Sequence, residues 1–234
     1  MNLSLIVASA GEGSRMKMNK RKQNIPIYNK PLLWHTLNSF LNNKIKFSNI
    51  YIMVNKKDID YTRNQIIPNL YFDKDININV LPGGNSRVET IKNGVNNLSK
   101  LTDYVLIHDG ARPFIDEDLL NRLITALKNY NAVIPAVSVK DTIKVKNNNS
   151  LVDNTLDRDS LVAVQTPQAF SYKIIREAYK NIDQIEGKIY DDSLLVERLG
   201  EPVKIVVGDY DNFKITTKED LEKAEYLIKR RGFR

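Results

Sequence analysis

The chain has 234 residues, of which 42% are hydrophobic, and this length and apolar content are typical of one α/β domain with a packed core. It has no cysteine, which excludes a disulfide framework and a thiolate site, and no stretch approaches the roughly 20 apolar residues of a membrane span. The formal net charge is +7, and the basic residues are spread along the chain except for a cluster at residues 17–22. Because this cluster follows a glycine loop, it favours a small phosphate-bearing ligand over nucleic acid, while a generally solvated surface is the alternative reading of the charge.

Apolar runs and helical periodicities alternate along the chain. The first run, residues 3–8, is too short for a signal peptide and ends at glycines, so we expect a buried strand. A cytoplasmic location is expected because it fits the absence of cysteine. Further short apolar or alternating runs predict strands. They lie at residues 50–54, 76–81, 104–107, 132–137 and 203–207.

Helices are predicted between these strands. Pro31 suits the first turn of one helix, residues 88–98 present the apolar face of a second, and Asp116 is the expected N-cap of a third. Thr216 and Glu219 have capping-box spacing ahead of the last helix. Strands that alternate with helices predict a three-layer α/β fold with a Rossmann-like, mostly parallel sheet.

One region breaks this alternation. Residues 142–145 and 161–164 have the composition of strands on either side of the polar residues 147–150. We interpret residues 140–162 as a β-arm that protrudes from the sheet. Because no repeat or long linker divides the chain, we interpret residues 1–234 as one domain.

The first loop that points to chemistry occupies residues 8–16, directly after the first strand. Its small residues and glycines would let backbone amides approach a polyphosphate, while Arg15 and Lys22 would add positive charge. The loop lacks the Gly-Lys-Ser/Thr of a Walker A sequence, and Met16 stands where a dinucleotide fingerprint has its third glycine. A purely structural turn from strand to helix is the alternative.

Other predicted strands also end in unusual residues, and ligands of open α/β sheets bind beyond such ends. Gly83 and Gly84 could let a nucleobase lie close to the backbone, or they could simply form a turn. Asp109 could hold a magnesium ion that bridges phosphates, or make a local turn. Lys214 lies just before a predicted helix N-terminus, which is a natural anion site. We interpret both histidines, His35 and His108, as structural.

Ordered motifs extend from the first loop to the last helix. They are Ser9-Ala10-Gly11-x-Gly13-x-Arg15-Met16, Gly83-Gly84-x-x-Arg87, His108-Asp109-x-Ala111-Arg112-Pro113, Lys140-Asp141-Thr142-Ile143-Lys144, Gln165-Thr166-Pro167-Gln168, Asp191-Asp192 and Asn212-x-Lys214-Ile215-Thr216-Thr217. In order and spacing, this set resembles the 2-C-methyl-D-erythritol 4-phosphate cytidylyltransferase family of the non-mevalonate isoprenoid pathway. The resemblance covers nearly the whole chain and implies a nucleotidyltransferase fold.

The resemblance also implies an activity and the residues that perform it. The enzyme would transfer CMP from CTP to the polyol phosphate, with Mg²⁺ or another divalent cation near Asp109, and would release pyrophosphate. Arg15, Lys22 and Lys214 would be catalytic. The nucleotide would contact Ala8, Ser9, Ala10, Gly11, Gly13, Gly84, Asn85, Arg87, Thr90, Asp109, Gly110 and Arg112. The polyol phosphate would contact Thr142, Arg158, Thr166, Tyr190 and Lys214. Interlocked arms would form a homodimer in which Arg158 enters the partner's site.

Some positions depart from the family pattern. Ser9 stands where alanine is common, Asn85 and Thr90 replace a frequent aspartate and serine, and Arg21 replaces a proline. Tyr190 stands where a threonine usually contacts the methylerythritol phosphate. The related ribitol-5-phosphate cytidylyltransferases therefore remain an alternative, although residues 140–144 and 191–192 favour the isoprenoid enzyme. A nucleotide sensor without catalysis and an RNA-binding protein are the non-enzymatic alternatives.

Overall fold

The computed structural model of the chain describes residues 1–11 and 24–231. Its strands are, in chain order, β1 (Leu3–Ser9), β2 (Pro26–Ile27), β3 (Lys30–Pro31), β4 (Asn49–Val54), β5 (Asn77–Pro82), β6 (Tyr104–Asp109), β7 (Ala132–Ser138), β8 (Lys144–Lys146), β9 (Val152–Thr155), β10 (Val162–Val164), β11 (Gln168–Ser171) and β12 (Val203–Val207). Its α-helices are α1 (Leu32–Leu41), α2 (Ile59–Tyr61), α3 (Arg87–Asn96), α4 (Glu117–Leu127), α5 (Tyr172–Lys180), α6 (Ser193–Glu197) and α7 (Lys218–Arg231).

The main sheet has eight strands in the order β10, β7, β11, β6, β1, β4 and β5, with β12 paired to β7. Strand β1 runs parallel to β4 and β6, β5 runs parallel to β4, and β12 runs parallel to β7. Strands β10 and β11 run antiparallel to their neighbours. The prediction of a mostly parallel α/β sheet is therefore confirmed, but the strand β11 between β6 and β7 was missed.

Helices cover both faces of this sheet. Because side chains alternate along a strand, Leu5 packs in one hydrophobic cluster and Ile6 in another. The first cluster includes Leu37 of α1 and Leu120 of α4, and the second includes Ile175 of α5. The predicted three layers are thus present. None of the helices in the described residues has the length and apolarity to cross a membrane.

The arm differs in part from its prediction. Strands β8 and β9 pair with each other in a separate hairpin, whose turn is closed by the Asn147 carboxamide accepting hydrogen bonds from the amides of Asn149 and Leu151. The second predicted strand, residues 161–164, is present as β10, but it belongs to the main sheet, where it pairs with β7. The short loop favours the local hairpin, since closing a short loop costs less conformational entropy than closing a long one.

The N-terminus of α7 has a reciprocal cap, one residue later than predicted. The amide of Asp220 donates to Thr217 Oγ1 at 3.3 Å, and the Asp220 carboxylate accepts from the amides of Thr216 and Thr217 at 2.7 and 2.9 Å. The predicted pair of Thr216 with Glu219 is therefore wrong. The cap fixes where α7 begins, and a hydrophobic cluster that includes Leu227 of α7 and Ile215 holds the helix beside the segment that carries Lys214.

Candidate active site

The carboxyl ends of β1 and β6 lie side by side. Ala8 is paired in register with Asp109, and the amide of Gly110 donates to the Ala8 carbonyl at 2.9 Å. On the other side of β1 lies β4, and β5 is paired with β4 in the same parallel direction. The Gly83 amide, just after β5, donates to the Val54 carbonyl at the end of β4 at 2.7 Å. This parallel register brings the three predicted nucleotide loops to one edge of the sheet.

Two glycines allow these loops to pack closely. A Cβ atom on Gly83 would collide with the Cβ of Ala10, and a Cβ on Gly110 would lie 2.8 Å from Ser9 Oγ and 3.1 Å from the Ala8 carbonyl oxygen. Close backbone approach is thus the reason for glycine at both positions. The Ser9 hydroxyl is buried in this contact, without a hydrogen-bond partner among the described residues.

Asp109 is the centre of a cluster of charged side chains at this edge. Its carboxylate accepts from Arg87 Nε at 3.0 Å and from Lys214 Nζ at 2.7 Å, and it lies 3.7 Å from Arg112 Nε. The side chain is only 10% exposed, and burial by itself would raise its pKa. The charges of Arg87, Lys214 and Arg112 outweigh this effect and hold the pKa of Asp109 well below its usual value.

Arg87 joins Asp109 to a second carboxylate. Its Nη1 and Nη2 atoms donate to the two oxygens of Asp192 at 3.1 and 2.7 Å, which is a bidentate pair. Burial by itself would lower the pKa of Arg87, but the charges of Asp192 and Asp109 raise it further above its usual value. The cluster of Asp109, Asp192, Arg87, Arg112 and Lys214 therefore has one net positive charge.

Thr166 and His108 form a hydrogen-bonded chain beneath Asp109. The Asp109 amide donates to Thr166 Oγ1 at 3.1 Å, Thr166 Oγ1 lies 3.1 Å from His108 Nδ1, and His108 Nε2 lies 2.9 Å from the Arg112 carbonyl oxygen. A carbonyl can only accept, so Nε2 carries the proton and Nδ1 accepts from the threonine. Both side chains thus have structural partners, and burial lowers the pKa of His108 to about 3.

The low pKa of His108 predicts a loss of stability in mild acid. Its folded value of about 3 lies below the value of about 6.5 in an unfolded chain, so folding favours the neutral ring. The resulting stabilisation is complete above about pH 6.5 and is lost as the pH falls toward the folded pKa. Urea unfolding should therefore show a loss of about 2 kcal/mol from this residue between pH 7 and about pH 5.

The other histidine of the chain, His35, contributes to the same pH dependence, because burial also lowers its pKa. His35 Nε2 lies 2.7 Å from the Ile27 carbonyl oxygen. His108→Gln should flatten the dependence of the unfolding free energy on pH, and the double variant His35→Asn/His108→Gln should flatten it further. An unchanged slope in His108→Gln would contradict the assignment of a buried neutral ring.

The segment that carries Lys214 is tied to the strand ends by main-chain contacts. Arg112 Nη1 donates to the Asn212 carbonyl at 2.8 Å, and Asn212 Nδ2 donates to the Thr166 carbonyl at 2.8 Å. The Ile215 amide donates to the Ala111 carbonyl at 2.9 Å. These bonds place Lys214 opposite Asp109, with its side chain 34% exposed. Its ammonium group is therefore accessible from solvent and can also contact a bound anion.

Thr90 and Asn85 shape the turn before α3. Thr90 Oγ1 accepts from the Gly84 amide at 3.0 Å and donates to the Ser86 carbonyl at 2.8 Å. The Asn85 amide donates to Glu89 Oε2 at 2.8 Å, while its own side chain is on the surface. Both predicted residues thus lie at the expected edge, where the hydroxyl of Thr90 already has two backbone partners.

The predicted contacts of the second substrate do not all lie together. Thr166 is in the cluster beneath Asp109, whereas Thr142 and Arg158 are exposed near the arm, where Arg158 Nη1 donates to the Lys140 carbonyl at 3.0 Å. Tyr190 is 76% exposed. No hydrogen bond or ion pair joins these three exposed residues to Asp109 within residues 1–11 and 24–231. The predicted Gly13, Arg15 and Lys22 lie outside the described residues.

Asp192 and Gln168 are the polar residues of the site whose roles the sequence did not reveal. Gln168 Oε1 accepts from the amides of Asp192 and Ser193, both at 3.1 Å, and its Nε2 donates to Asp191 at 2.8 Å. Both were noticed only as parts of motifs. A short polar stretch is typical of a surface loop, so no pattern indicated that the Asp192 side chain is 1% exposed.

Asp109 is also the residue that could hold a metal ion. In the part of the chain that the structure describes, no three His, Asp or Glu side chains are grouped as metal ligands. Mg²⁺ in nucleotide enzymes is commonly held by one or two carboxylates together with substrate phosphates. A single carboxylate at the nucleotide loops fits a cation that is held mainly by a triphosphate, and such a cation would take the place of one of the contacts that Asp109 makes with Arg87 and Lys214.

A mostly parallel sheet, with glycine turns and cationic side chains around a carboxylate at its carboxyl edge, is typical of an enzyme that binds phosphorylated nucleotides. The chain belongs to the 2-C-methyl-D-erythritol 4-phosphate cytidylyltransferase family, whose sequence model matches residues 3–230. It is therefore a nucleotidyltransferase, as its motifs predicted.

Similar proteins and structures match the chain along nearly its whole length. The 2-C-methyl-D-erythritol 4-phosphate cytidylyltransferase of Clostridium beijerinckii is 40% identical over 227 residues, which cover 97% of this chain and 98% of the relative. A protein of the same name from Lachnoclostridium phytofermentans is 39% identical over 229 residues, covering 97% and 96%. A 4-diphosphocytidyl-2C-methyl-D-erythritol synthase from Anaerococcus prevotii has a similar crystal structure, with a TM-score of 0.83 at 33% identity, covering 97% of this chain and 98% of the other.

Proposed function

We propose that the chain transfers CMP from CTP to 2-C-methyl-D-erythritol 4-phosphate, giving 4-(cytidine 5'-diphospho)-2-C-methyl-D-erythritol and pyrophosphate in non-mevalonate isoprenoid precursor synthesis. Membership of the cytidylyltransferase family supports this activity. The structural observation that carries it is the convergence of Arg87, Arg112 and Lys214 on Asp109 at the end of β6. Positive charge beside the glycine turns supports the proposal, because backbone amides and cations together favour a bound triphosphate.

The reaction requires stabilisation of negative charge on the phosphates more than it requires proton transfer. An oxygen of the methylerythritol phosphate attacks the α-phosphorus of CTP, a new P–O bond forms, and the bond to the pyrophosphate leaving group breaks. A phosphate monoester is already mostly dianionic at pH 7, because its second pKa is about 6, so the attacking oxygen needs no base. His108, which is buried and hydrogen-bonded on both sides, is not required as one.

The cationic side chains perform most of this work. Lys214 stabilises negative charge on the reacting phosphates, and the sequence assigns the same role to Arg15 and Lys22. The glycine loop residues Ala8, Ser9, Ala10, Gly11 and Gly13, together with Gly84, Asn85, Arg87, Thr90, Asp109, Gly110 and Arg112, surround the nucleotide. Asp109 would be the protein ligand of a divalent cation such as Mg²⁺, which would supply charge neutralisation for the triphosphate.

The acceptor binds beside the arm, and the active form is a homodimer of chains joined through their arms. Exposed apolar side chains on the arm favour contact with another protein chain, since Leu151 and Val152 at its tip are 64% and 63% exposed. The acceptor contacts Thr142, Arg158 and Tyr190 near the arm, with Arg158 coming from the partner's arm. It also reaches Thr166 and Lys214, which lie beside Asp109. We further propose that the chain is one domain that works in the cytoplasm, without nucleic acid or membrane partners.

The proposal is tested by measuring pyrophosphate release from CTP with each acceptor offered separately. We expect turnover with methylerythritol phosphate and little with ribitol 5-phosphate, and CTP should be preferred to ATP, UTP and GTP. Preference for ribitol 5-phosphate would overturn the assigned acceptor and would point to Tyr190, where the family usually has a threonine. Binding of CTP without pyrophosphate release would support a sensor, and strongly salt-dependent oligonucleotide binding would support an RNA-binding protein.

Arg158→Ala should mainly raise the KM for methylerythritol phosphate, by about tenfold to a hundredfold, because a charged hydrogen bond contributes about 1.5–3 kcal/mol. The measurement is steady-state kinetics with CTP at saturation. Arg176→Ala is the matched control, since Arg176 is exposed on α5 and contacts Tyr172 of the same helix. An unchanged KM in Arg158→Ala would remove Arg158 from the acceptor site.

A further inference from the structure

A buried chain of side chains lies behind Arg87, on the side away from Asp109. Asp192 accepts from both Nη atoms of Arg87, and its Oδ1 atom also accepts from the Tyr179 hydroxyl at 2.6 Å. Tyr179 lies in α5 and is 2% exposed. No nucleotide or acceptor can contact Tyr179 or Asp192 without rearrangement of the fold, because their side chains are closed off from solvent.

The position of Asp192 is itself fixed by the sheet. Gln168, the first residue of β11, accepts with Oε1 from the amides of Asp192 and Ser193 and donates with Nε2 to Asp191. Because β11 is paired with β6, the same pair of strands holds Asp109 and the support of Asp192. Arg87 thus bridges two carboxylates whose backbone positions are set by neighbouring strands.

This bridge restricts what Arg87 can do. Three of its five N–H groups are committed, two to Asp192 and one to Asp109. The charge of Arg87 is balanced mainly by Asp192, with which it makes two hydrogen bonds. Asp109 accepts one hydrogen bond from Arg87 and also pairs with Lys214 and Arg112. We propose that Asp192 and Tyr179 are positioning residues that lock the Arg87 guanidinium in place and thereby fix Asp109 and Lys214 for the transfer of CMP.

The proposal rests on the proposed function, and it separates a positioning role from a merely stabilising one. Asp192→Asn releases the bidentate contact without removing a residue that touches substrate. We expect kcat to fall about a hundredfold, as is seen when a distant change displaces catalytic groups, while the KM for CTP changes by less than about threefold. Tyr179→Phe keeps the ion pair and loses one hydrogen bond to a charged group, so kcat should fall about tenfold.

Matched variants at surface positions provide the controls. Asp183→Asn removes a carboxylate that pairs with Lys92 at 3.5 Å on the surface, and Tyr226→Phe removes an exposed hydroxyl of α7. Both controls should keep the wild-type kcat. All variants are compared after circular dichroism and thermal unfolding have established that they are folded at the assay temperature.

A double-mutant cycle with Arg87→Met gives the sharper test. If Asp192 acts through Arg87, the variant Arg87→Met/Asp192→Asn has the kcat of Arg87→Met within about twofold, because the effects of coupled residues are not additive. The double variant should also regain part of the Tm lost by Asp192→Asn, since no unpaired buried charge remains. Additive losses of kcat, or a wild-type kcat in Asp192→Asn, would overturn the proposal.

A crystal structure of Asp192→Asn decides the question without turnover. We expect Arg87 to leave its contact with Asp109 and Lys214 to shift, whereas an unchanged geometry would contradict the positioning role. If Asp192→Asn does not fold, the same structural comparison is made with Tyr179→Phe. Absence of pyrophosphate release from the wild-type protein would instead contradict the proposed function, so the two failures are distinguishable.

Discussion

Lys214→Ala is expected to lower kcat by about a hundredfold or more, because one oriented electrostatic contact to a transition state contributes roughly 3 kcal/mol. The Lys214 ammonium lies 2.7 Å from Asp109 and is still partly exposed, so it is held in position and remains accessible to a phosphate. The segment around it is anchored by hydrogen bonds from Arg112 Nη1 to the Asn212 carbonyl and from the Ile215 amide to the Ala111 carbonyl, which the substitution does not touch. Single-turnover measurement of pyrophosphate release is the appropriate assay.

The control for this substitution is Lys173→Ala, which makes the same change in net charge at an exposed position of α5. It should leave kcat unchanged, which would exclude a general effect of protein charge on substrate binding. Lys214→Arg should retain part of the activity, since it keeps the charge but changes the geometry of the donors. A folded Lys214→Ala protein with near-normal turnover would refute the catalytic role of the lysine.

Asp109→Asn is expected to cost both stability and activity. It leaves the three neighbouring cations without their central carboxylate, and breaking a buried ion pair by removing one partner typically costs about 3–5 kcal/mol. Because Lys214 and Arg87 are partly exposed, we expect a loss near the lower end, about 3 kcal/mol, in urea unfolding at pH 7. The loss of kcat should be at least about a hundredfold, since the site also loses its anchor for Lys214.

The pH dependence of this stability has a defined sign. The folded pKa of Asp109 is depressed, so its contribution is present above the unfolded value of about 3.9 and is lost as the pH falls below it. The difference in stability between wild type and Asp109→Asn should therefore shrink below about pH 4. Asp73→Asn, which removes the partner of Lys46 on the surface, should leave turnover unchanged. A pH-independent difference would contradict the account of Asp109.

The sheet could be predicted because its strands carry a strong local signal. Strands β1, β4 and β6 are mostly apolar and almost fully buried, as expected for the central strands of a parallel sheet. Asp116 was predicted as an N-cap, and its carboxylate accepts from the Leu119 amide at 2.7 Å. The parallel order then places residues 9–11, 83–84 and 109–110 at one edge, as the predicted nucleotide loops require.

The remaining features depend on contacts that are distant in sequence. Strand β11 has four residues and begins with Gln168, whose buried carboxamide has partners more than 20 residues away. The bidentate contact of Arg87 joins it to Asp192, 105 residues later. A single sequence contains no periodicity for such pairs, so Arg87 was predicted only as a nucleotide contact. The partner of β8 was missed for a different reason, because β9 has the sequence Val-Asp-Asn-Thr and aspartate and asparagine are uncommon in strands.

A crystal structure with CTP bound would test whether the glycine turns and the cations hold one triphosphate together. We expect the phosphates to lie beyond the ends of β1 and β6, with Lys214 Nζ within hydrogen-bond distance of a phosphate oxygen and with Arg15 and Lys22 on the same triphosphate. A nucleotide bound elsewhere, or a triphosphate that none of these three side chains contacts, would contradict the assignment of the site.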